Sequence, residues 1–507
     1  MGWTGRRASR AAAVALLGVV LVGCNPSVVS INHEGTDAGD GPATDPVVSP
    51  DGTMVAFVSD ASNLVPGMPE DPHHHIYVRD LVAGNTELVS ESTGGELADR
   101  PAYAPVFSPD GTKVVFHSTA GNLTPQSSLS PYAQLYIRDL VAGTTEMVSV
   151  DAAGTGRGDH ASYAGYSFSP DGTQIVFTSG AGNLGPTDTS LGADIYVRDL
   201  VTDTTTLVSR NAAGTSGGNF VSQDPVFTPE GTRVAYNSFA TDLGPVDTNR
   251  RWDAYITDLA TGTTTLLSQN AAATGSGNDH SWLLDLTPDG SAALISSYAG
   301  DLVAGTPDDA LWDYFLRDLT TGTTTRIAAL GLDATQSYDF SPDGRYLAFT
   351  TDSGSLGPTD TVVTCQNSDV PPRDVPCPDV YLHDRSTGTT TLVSVNAAGT
   401  NGGNSASSAP RFSPDGSRLL FGSGASDLGP VDTNGTADLY ISDMDTGEIT
   451  LVTTRQDGSD SADGASFLGQ FGQDERTVIF QSTAEDMGPG PDANGHPDIY
   501  LKALPED

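Results

Sequence analysis

One turn motif recurs eight times along the 507-residue chain at a nearly constant spacing. Seven copies read Ser/Thr-Pro-Asp/Glu-Gly, and an eighth, degenerate copy lies at Gly472–Glu475. The acidic residues of the eight copies are Asp51, Asp110, Asp171, Glu230, Asp289, Asp343, Asp415 and Asp474. Such a long and regular period indicates stacked supersecondary units, so it constrains the fold more than any local pattern does.

Each repeat has the pattern of four short strands. In the third repeat, Tyr166–Ser169, Gln174–Ser179, Asp194–Asp199 and Thr204–Ser209 are separated by turn residues, which is typical of an antiparallel meander. The second strands are apolar at successive positions, which indicates that both faces of each sheet are covered. Four-stranded blades stacked around an axis satisfy this requirement. We therefore predict an all-β fold, an eight-bladed β-propeller.

The two ends of the chain suggest how the ring closes. The eighth repeat ends soon after its third strand, and Pro26–Ser30 near the start resembles an isolated fourth strand. The register agrees, because Ser30 precedes Ser49 by the same interval by which Ser394 precedes Ser413. We expect the N-terminal strand to complete the last blade, which would leave no open sheet edge.

The repeats resemble a known family. Ser-Pro-Asp-Gly followed by Thr-x-Val/Ile-x-Phe, then Asp-Ile-Tyr-Val-Arg-Asp-Leu and Thr-Gly-Thr-Thr-Thr-Leu-Val-Ser, is similar to the TolB-like, WD-like propeller repeats of bacterial envelope proteins. The resemblance covers nearly all of the chain after residue 25 and implies a propeller, although with more blades than the six of TolB. It implies no particular ligand, because one fold serves many functions.

The first 23 residues have the pattern of a lipoprotein signal peptide. Arg6, Arg7 and Arg10 precede the apolar run Ala11–Val22, and Leu-Val-Gly-Cys ends at Cys24. We expect Cys24 to be lipidated and residues 24–507, the TolB-like propeller, to be anchored to the outside of the cell membrane. An uncleaved anchor or an ordinary signal peptide is the alternative.

The other two cysteines, Cys365 and Cys377, lie in the insertion that makes the step from Asp343 to Asp415 the longest of the series. In an exported protein they are expected to form a disulfide, worth roughly 3 kcal/mol for a loop of this length. The alternative is a metal pair, which no neighbouring His supports.

The formal net charge is −41, with only two lysines, Lys113 and Lys502. Nucleic acid binding requires basic surface that displaces counterions, so this charge argues against a nucleic acid partner. Adhesion to anionic lipid is disfavoured for the same reason. We expect a monomer that contacts the membrane only through the lipid on Cys24.

A second pattern, Asp-x-Asn-x-x-x-Asp, suggests a cation. It occurs three times, at Asp247/Asn249/Asp253, Asp432/Asn434/Asp438 and Asp492/Asn494/Asp498. Closely spaced oxygen ligands suit calcium, which is the one cofactor that the sequence suggests. The alternative is that these Asp and Asn side chains cap turns through their own backbone.

The longest connections of each repeat should lie on one face of the propeller. Repeats of about 60 residues exceed the roughly 40–45 of a WD repeat, and the surplus lies in the loop between strands two and three and in the loop to the next blade. Long loops on a rigid scaffold usually bind partners. We therefore predict a non-catalytic scaffold for an envelope protein, a peptide or a cell-wall glycan, with no catalytic residue assigned.

The alternative function is a propeller enzyme, a glycan lyase or hydrolase. Asp45, Asp224, Asp285 and Asp339 precede the repeated turns on the innermost strands, so some could meet at the channel mouth. A pair of carboxylates there could transfer protons.

Overall fold

The computed structural model describes residues 26–69, 71–185, 188, 192–307, 311–331, 337–353, 356, 364–366, 374–430, 432–487 and 494–505. These residues form eight four-stranded antiparallel sheets and one two-stranded hairpin. The prediction of an all-β, eight-bladed β-propeller is confirmed. Within the ranges above, the molecule has no helix with the length and apolarity needed to cross a membrane.

The chain enters the fold with β1 (Ser27–Val28) and then builds the blades in order. Blades 1 and 2 contain β2 (Ala43–Val48), β3 (Met54–Ser59), β4 (His75–Asp80), β5 (Asn85–Leu88), β6 (Ala102–Phe107), β7 (Lys113–Ser118), β8 (Gln134–Asp139) and β9 (Thr144–Met147). Blades 3 and 4 contain β10 (Ser167–Phe168), β11 (Gln174–Ser179), β12 (Asp194–Asp199), β13 (Thr204–Leu207), β14 (Ser222–Phe227), β15 (Arg233–Ser238), β16 (Asp253–Asp258) and β17 (Thr264–Leu266).

The second half of the ring follows the same order, with one inserted hairpin in blade 6. Blades 5 and 6 contain β18 (Ser281–Leu286), β19 (Ala292–Ser297), β20 (Trp312–Asp318), β21 (Thr324–Gly331), β22 (Tyr338–Phe340), β23 (Tyr346–Thr351), the hairpin β24 (Thr364–Gln366) and β25 (Asp374–Pro376), then β26 (Asp379–Asp384) and β27 (Thr389–Leu392). Blades 7 and 8 contain β28 (Ser407–Phe412), β29 (Arg418–Ser423), β30 (Asp438–Asp443), β31 (Ile449–Leu451), β32 (Ser466–Phe471), β33 (Thr477–Ser482) and β34 (Asp498–Ala503).

The outermost strand of blade 8 is β1. It pairs antiparallel with β34, which places Ser27 opposite Leu501 and gives the sheet order β1-β34-β33-β32. The Ser30 hydroxyl donates a 2.6 Å hydrogen bond to Asp498 Oδ1, and the Val29 N–H donates to the Ile499 carbonyl at 2.7 Å. Two segments from opposite ends of the chain therefore share one sheet.

The core lies between neighbouring blades. In blade 1 the buried rings of Phe57 and Tyr77 stack with centroids 5.8 Å apart, and they pack with Ile479 and Ile499 of blade 8. Equivalent pairs, 5.8 to 6.1 Å apart, are Phe116–Tyr136, Phe177–Tyr196, Tyr236–Tyr255, Phe349–Tyr381, Phe421–Tyr440 and Phe480–Tyr500. Because each sheet is covered on both faces, the middle of its second and third strands is apolar at successive positions.

The repeated motif forms the turn between the first two strands of a blade. The Ser49 hydroxyl donates to Asp51 Oδ1 at 2.7 Å and accepts the Met54 N–H at 2.9 Å. Gly52 has φ 73°, a conformation that residues with a side chain adopt at a cost. The acidic residue of the motif thus closes its own turn.

Candidate functional site

The two faces of the propeller differ in their connections. We call the face with the loops between strands two and three, and the loops between blades, the long-loop face. These loops are fastened to each other: the Ala152 N–H donates to the Asn183 carbonyl at 2.8 Å, and the Gly182 N–H to Asp159 Oδ1 at 2.9 Å. The face is therefore a hydrogen-bonded platform and can position side chains.

Aromatic side chains form a continuous group on this face, at the ends of strands in blades 4 and 5. We call it the aromatic strip; its members are Phe220, Phe239, Trp252, His280, Trp282, Tyr298 and Trp312. Successive ring centroids lie 5.5 Å apart for Phe220–Phe239, 5.8 Å for Phe239–Trp252, 6.3 Å for Trp252–Trp282, 5.1 Å for Trp282–Trp312 and 3.9 Å for Trp312–Tyr298.

The strip is only partly covered by the protein. Phe220 is 50% exposed, and the other six rings are half-buried. His280 fixes the middle of the strip, because its ring stacks on Trp282 at 5.0 Å and its Nδ1 accepts the Trp252 N–H at 3.1 Å. The strip is therefore a partly exposed row of rings on the long-loop face, where blades 4 and 5 meet.

Sequence reasoning missed the strip, although a signal was present. Trp252, Trp282 and Trp312 are three of the four tryptophans in the chain, and they are evenly spaced. The interval between them is half a repeat, so these positions alternate between the third strand of one blade and the first strand of the next. Both kinds of strand begin on the long-loop face.

A smaller aromatic group lies across blades 1 to 3. His117 lies between Tyr103 and Tyr166, with ring centroids 5.7 Å and 6.4 Å away, and His74 lies 5.7 Å from Tyr103. Burial lowers the pKa of His117, so this imidazole is neutral at physiological pH. His117 therefore contributes an uncharged ring to the group.

The predicted channel carboxylates are brought together only in part. Asp285 and Asp339 lie on the innermost strands of blades 5 and 6, and the charge of Arg411 in blade 7 acts on both carboxyls. Burial outweighs Arg411 and raises the pKa of Asp339 to about 6, and that of Asp285 above its usual range. The charge of Asp224 acts on Tyr338, so Asp224 lies near this pair. Asp45 lies in blade 1 instead.

Tyr338 and Arg411 complete this channel group. The Tyr338 hydroxyl donates to the Leu284 carbonyl at 2.7 Å, and Arg411 donates to the Tyr338 carbonyl at 2.9 Å. The Phe412 N–H donates to Asp339 Oδ2 at 2.7 Å. A carboxyl that titrates near neutral pH beside a tyrosine and an arginine is an arrangement that can transfer protons.

The Asn of each Asp-x-Asn loop has a structural role. The side-chain amide of Asn249 donates to the Gly277 carbonyl at 2.6 Å, that of Asn434 to Ala462 at 2.6 Å and that of Asn494 to Gly39 at 2.8 Å. These carbonyls occupy equivalent places in the loop to the next blade. The Asn therefore fastens one long loop to the next.

The last Asp of the pattern also has a structural role. Asp253, Asp438 and Asp498 accept 2.6 to 2.7 Å bonds from Ser268, Thr453 and Ser30 at the end of the fourth strand. The same 2.6 Å bond joins Asp379 to Ser394, where the rest of the pattern is missing. Asp492 lies outside the described residues. In the part that is described, no three His, Cys, Asp or Glu side chains converge so as to hold a metal ion.

The cysteines can be followed in part. Cys377 is buried and disulfide-bonded. The backbone of Cys365 pairs with that of Val375 in the inserted hairpin, but its side chain and all of Cys24 lie outside the described residues. The Cys365–Cys377 pairing and the lipidation of Cys24 remain predictions.

Grooves lie between some neighbouring blades near the tight turns. One of about 400 Å³ between blades 4 and 5 is lined by Arg233, Asp258, Arg317 and Asp318, near the tight turns. The aromatic strip lies instead on the long-loop face.

No family model matches the chain. Among solved structures, it is similar to an oligogalacturonate lyase from Vibrio parahaemolyticus, with 12% identity over 95% of this chain and 97% of that one and a TM-score of 0.47. TolB from Acinetobacter baumannii has 17% identity over 70% and 64%, with a TM-score of 0.35. The β-propeller domain of the trilobed protease from Pyrococcus furiosus has 12% identity over 82% and 98%, with a TM-score of 0.40. Similarities this distant carry no argument about activity.

Proposed function

We propose that the protein is a lipid-anchored extracytoplasmic scaffold that binds a glycan chain on its long-loop face without modifying it. The aromatic strip is the observation that carries this proposal. A row of half-exposed rings offers flat apolar faces on which the C–H faces of successive sugars can stack. A folded protein partner or a peptide is the competing occupant.

The charge of the chain narrows the class of glycan. A formal charge of −41 repels anionic polymers at ordinary ionic strength. Neutral or amino-substituted glycans therefore suit this surface better than uronic or phosphorylated ones.

The position of β1 supports an outward orientation of the strip. Ser27 lies opposite Leu501, towards the tight-turn end of the sheet. Ser27 is the third residue after Cys24, a reach of about 10 Å at the rise of an extended strand. A lipid on Cys24 would hold the tight-turn face towards the membrane and leave the long-loop face available.

The test is binding of the soluble chain, without residues 1–24, to solubilised neutral and amino-substituted cell-wall glycans. Trp282→Ala should weaken binding about tenfold or more, because Trp282 contacts three other members of the strip. The matched control is Phe467→Ala: Phe467 is 38% exposed and is the second residue of its blade's first strand, as Trp282 is. Equal affinities of both variants would contradict the proposal, and so would retention of an envelope protein with no glycan bound.

The second candidate is a propeller enzyme that cleaves such a glycan, favoured by the group Asp285, Tyr338, Asp339 and Arg411. Asp339, with its pKa raised by burial, would act as the proton donor. In this case the wild-type chain should release new chain ends from a bound glycan, and Asp339→Asn should stop this release while binding persists. Binding of an intact glycan that the wild type never cleaves would exclude the enzyme.

A further inference from the structure

The loop 247–253 in blade 4 differs from the Asp-x-Asn loop 432–438 in blade 7 in one respect. Two of its carboxylate oxygens, Asp247 Oδ2 and Asp253 Oδ2, are buried, and no group of the described chain donates a hydrogen bond to them. Asp253 as a whole is fully buried. The partner oxygens are engaged: Asp253 Oδ1 accepts the Ser268 hydroxyl at 2.7 Å, and Asp247 Oδ1 accepts the Asn249 N–H at 2.8 Å.

Blade 7 shows what the same motif looks like when it is satisfied. There Asp438 Oδ2 accepts the Asn434 amide at 2.7 Å, and Asp432 Oδ2 accepts the Tyr440 hydroxyl at 3.0 Å. In blade 4 burial raises the pKa of Asp253 to about 8, and the nearby Asn249 amide offsets this only in part. The hydrogens of that amide are directed at the carbonyls of Gly277 and Asp279. The Asp-x-Asn motif by itself therefore does not leave carboxylate oxygens without a donor. The surroundings of the motif in blade 4 do.

A buried carboxylate oxygen without a donor is costly and requires a proton or a cation. Asp247 and Asp253 interact electrostatically, and the charge of Asp301 adds to the negative potential. Carboxylate oxygens are hard ligands and prefer hard cations. We propose that this loop, unlike its counterpart in blade 7, binds a divalent cation of the calcium type between Asp247 and Asp253.

The expected affinity is low. Two carboxylates would supply only part of a calcium coordination shell, so backbone carbonyls and water must supply the rest. Sites with this few charges have dissociation constants of roughly 0.1–1 mM, a range typical of extracellular modules. Such a site would respond to the calcium concentration outside a cell.

The loop is directly connected to the aromatic strip. Trp252 immediately precedes Asp253, and its N–H donates to His280, which stacks on Trp282. A cation between Asp247 and Asp253 would therefore fix the orientation of Trp252. This inference does not depend on the proposed glycan, because the cation and the fluorescence of Trp252 can be measured without it.

The test uses the soluble chain, freed of metal, with calcium added up to about 10 mM, ten times the weakest expected dissociation constant. Tryptophan fluorescence should change with saturation, Tm should rise by about 2 °C, and terbium should show luminescence sensitised by Trp252. Asp253→Asn and Asp247→Asn should each abolish all three responses. The matched control Asp438→Asn, at the corresponding position of blade 7, should retain them.

Circular dichroism of each variant distinguishes loss of the cation site from loss of the fold. If one of the two blade 4 variants misfolds, the other still tests the site. A wild-type chain that responds neither to calcium nor to terbium overturns the proposal and indicates that a proton on Asp253 satisfies its buried oxygen instead. A response that survives in folded Asp253→Asn and Asp247→Asn overturns it as well.

Discussion

The two faces of the propeller shift the pKa of aspartate in opposite directions. At the tight-turn face, the Ser169 hydroxyl and the Thr173 N–H donate to Asp171, which is exposed, and they lower its pKa. At the long-loop face, burial raises the pKa of Asp438 to about 7, although Thr453 and Asn434 donate to it. Hydrogen bonds to a carboxylate thus lower its pKa at the surface, but they do not compensate for full burial.

The faces also differ in the sequence distance of their contacts. In a turn, Asp51 contacts Ser49 and Thr53, both two residues away. On the other face, Asn249 reaches Gly277 in the loop to the next blade, and Asn494 reaches Gly39 near the opposite end of the chain. The turns can form within one hairpin, whereas the long loops require the assembled ring.

The largest effect on stability should follow from deletion of residues 26–30. This segment includes β1, which runs from the tight-turn face to the long-loop face. The deletion exposes the blade 8 edge, removes buried Val29 and leaves Asp498 Oδ1 without the Ser30 hydroxyl. We expect a loss of about 3–5 kcal/mol in urea unfolding, or aggregation.

Hydrogen exchange on the same deletion variant would distinguish the two faces. Amides in residues 33–41 and 494–498 should lose protection, whereas the Gly52 amide in its local turn should keep it. Ser27→Ala, which removes only a 3.5 Å bond at an exposed position, is the control. An unchanged unfolding midpoint in the deletion variant would contradict the closing role of β1.

A smaller effect is expected in the pH dependence of stability. The folded pKa of Asp438, about 7, exceeds the unfolded value of about 4, so the folded state holds the proton more tightly in this range. Its contribution to stability is complete below pH 4 and is lost as the pH rises through 7. In calcium-free buffer, the free energy of unfolding of Asp438→Asn should therefore fall by about 1–2 kcal/mol less between pH 5 and 8 than that of the wild type.

The matched substitution on the opposite face is Asp171→Asn. The pKa of Asp171 is lowered, so its contribution is lost only below about pH 4, and the slope between pH 5 and 8 should match that of the wild type. Urea unfolding at several pH values measures both variants. Equal slopes in the wild type and Asp438→Asn would mean that burial does not govern this carboxyl.

The sequence predicts well what is repeated. The Pro-Asp-Gly turn at Asp51 depends on residues within five positions, and the successive apolar residues of the second strands follow from coverage on both faces. Eight copies of a local pattern were enough to predict the number of blades and their strands.

The sequence predicts poorly the side-chain contacts that form between neighbouring blades. Trp252 and Trp282 contact each other only because a third strand of one blade lies beside the first strand of the next. Asp247 and Asp432 occupy the same place in the same motif, yet only Asp432 receives a tyrosine hydroxyl on Oδ2. No local pattern encodes that difference, because it depends on where neighbouring side chains point.

The smallest effect is expected from Asp171→Ala in a single tight turn. The change removes the acceptor for the Ser169 hydroxyl and for the Thr173 N–H and hydroxyl, all within two residues. Water can replace each bond at this exposed position, so we expect a loss of about 0.5 kcal/mol, independent of pH between 5 and 8. Exchange should rise at amides 172 and 173 alone. A loss above about 2 kcal/mol, or faster exchange in the long loops of blade 3, would show that the turns support the opposite face and that the two faces are not independent.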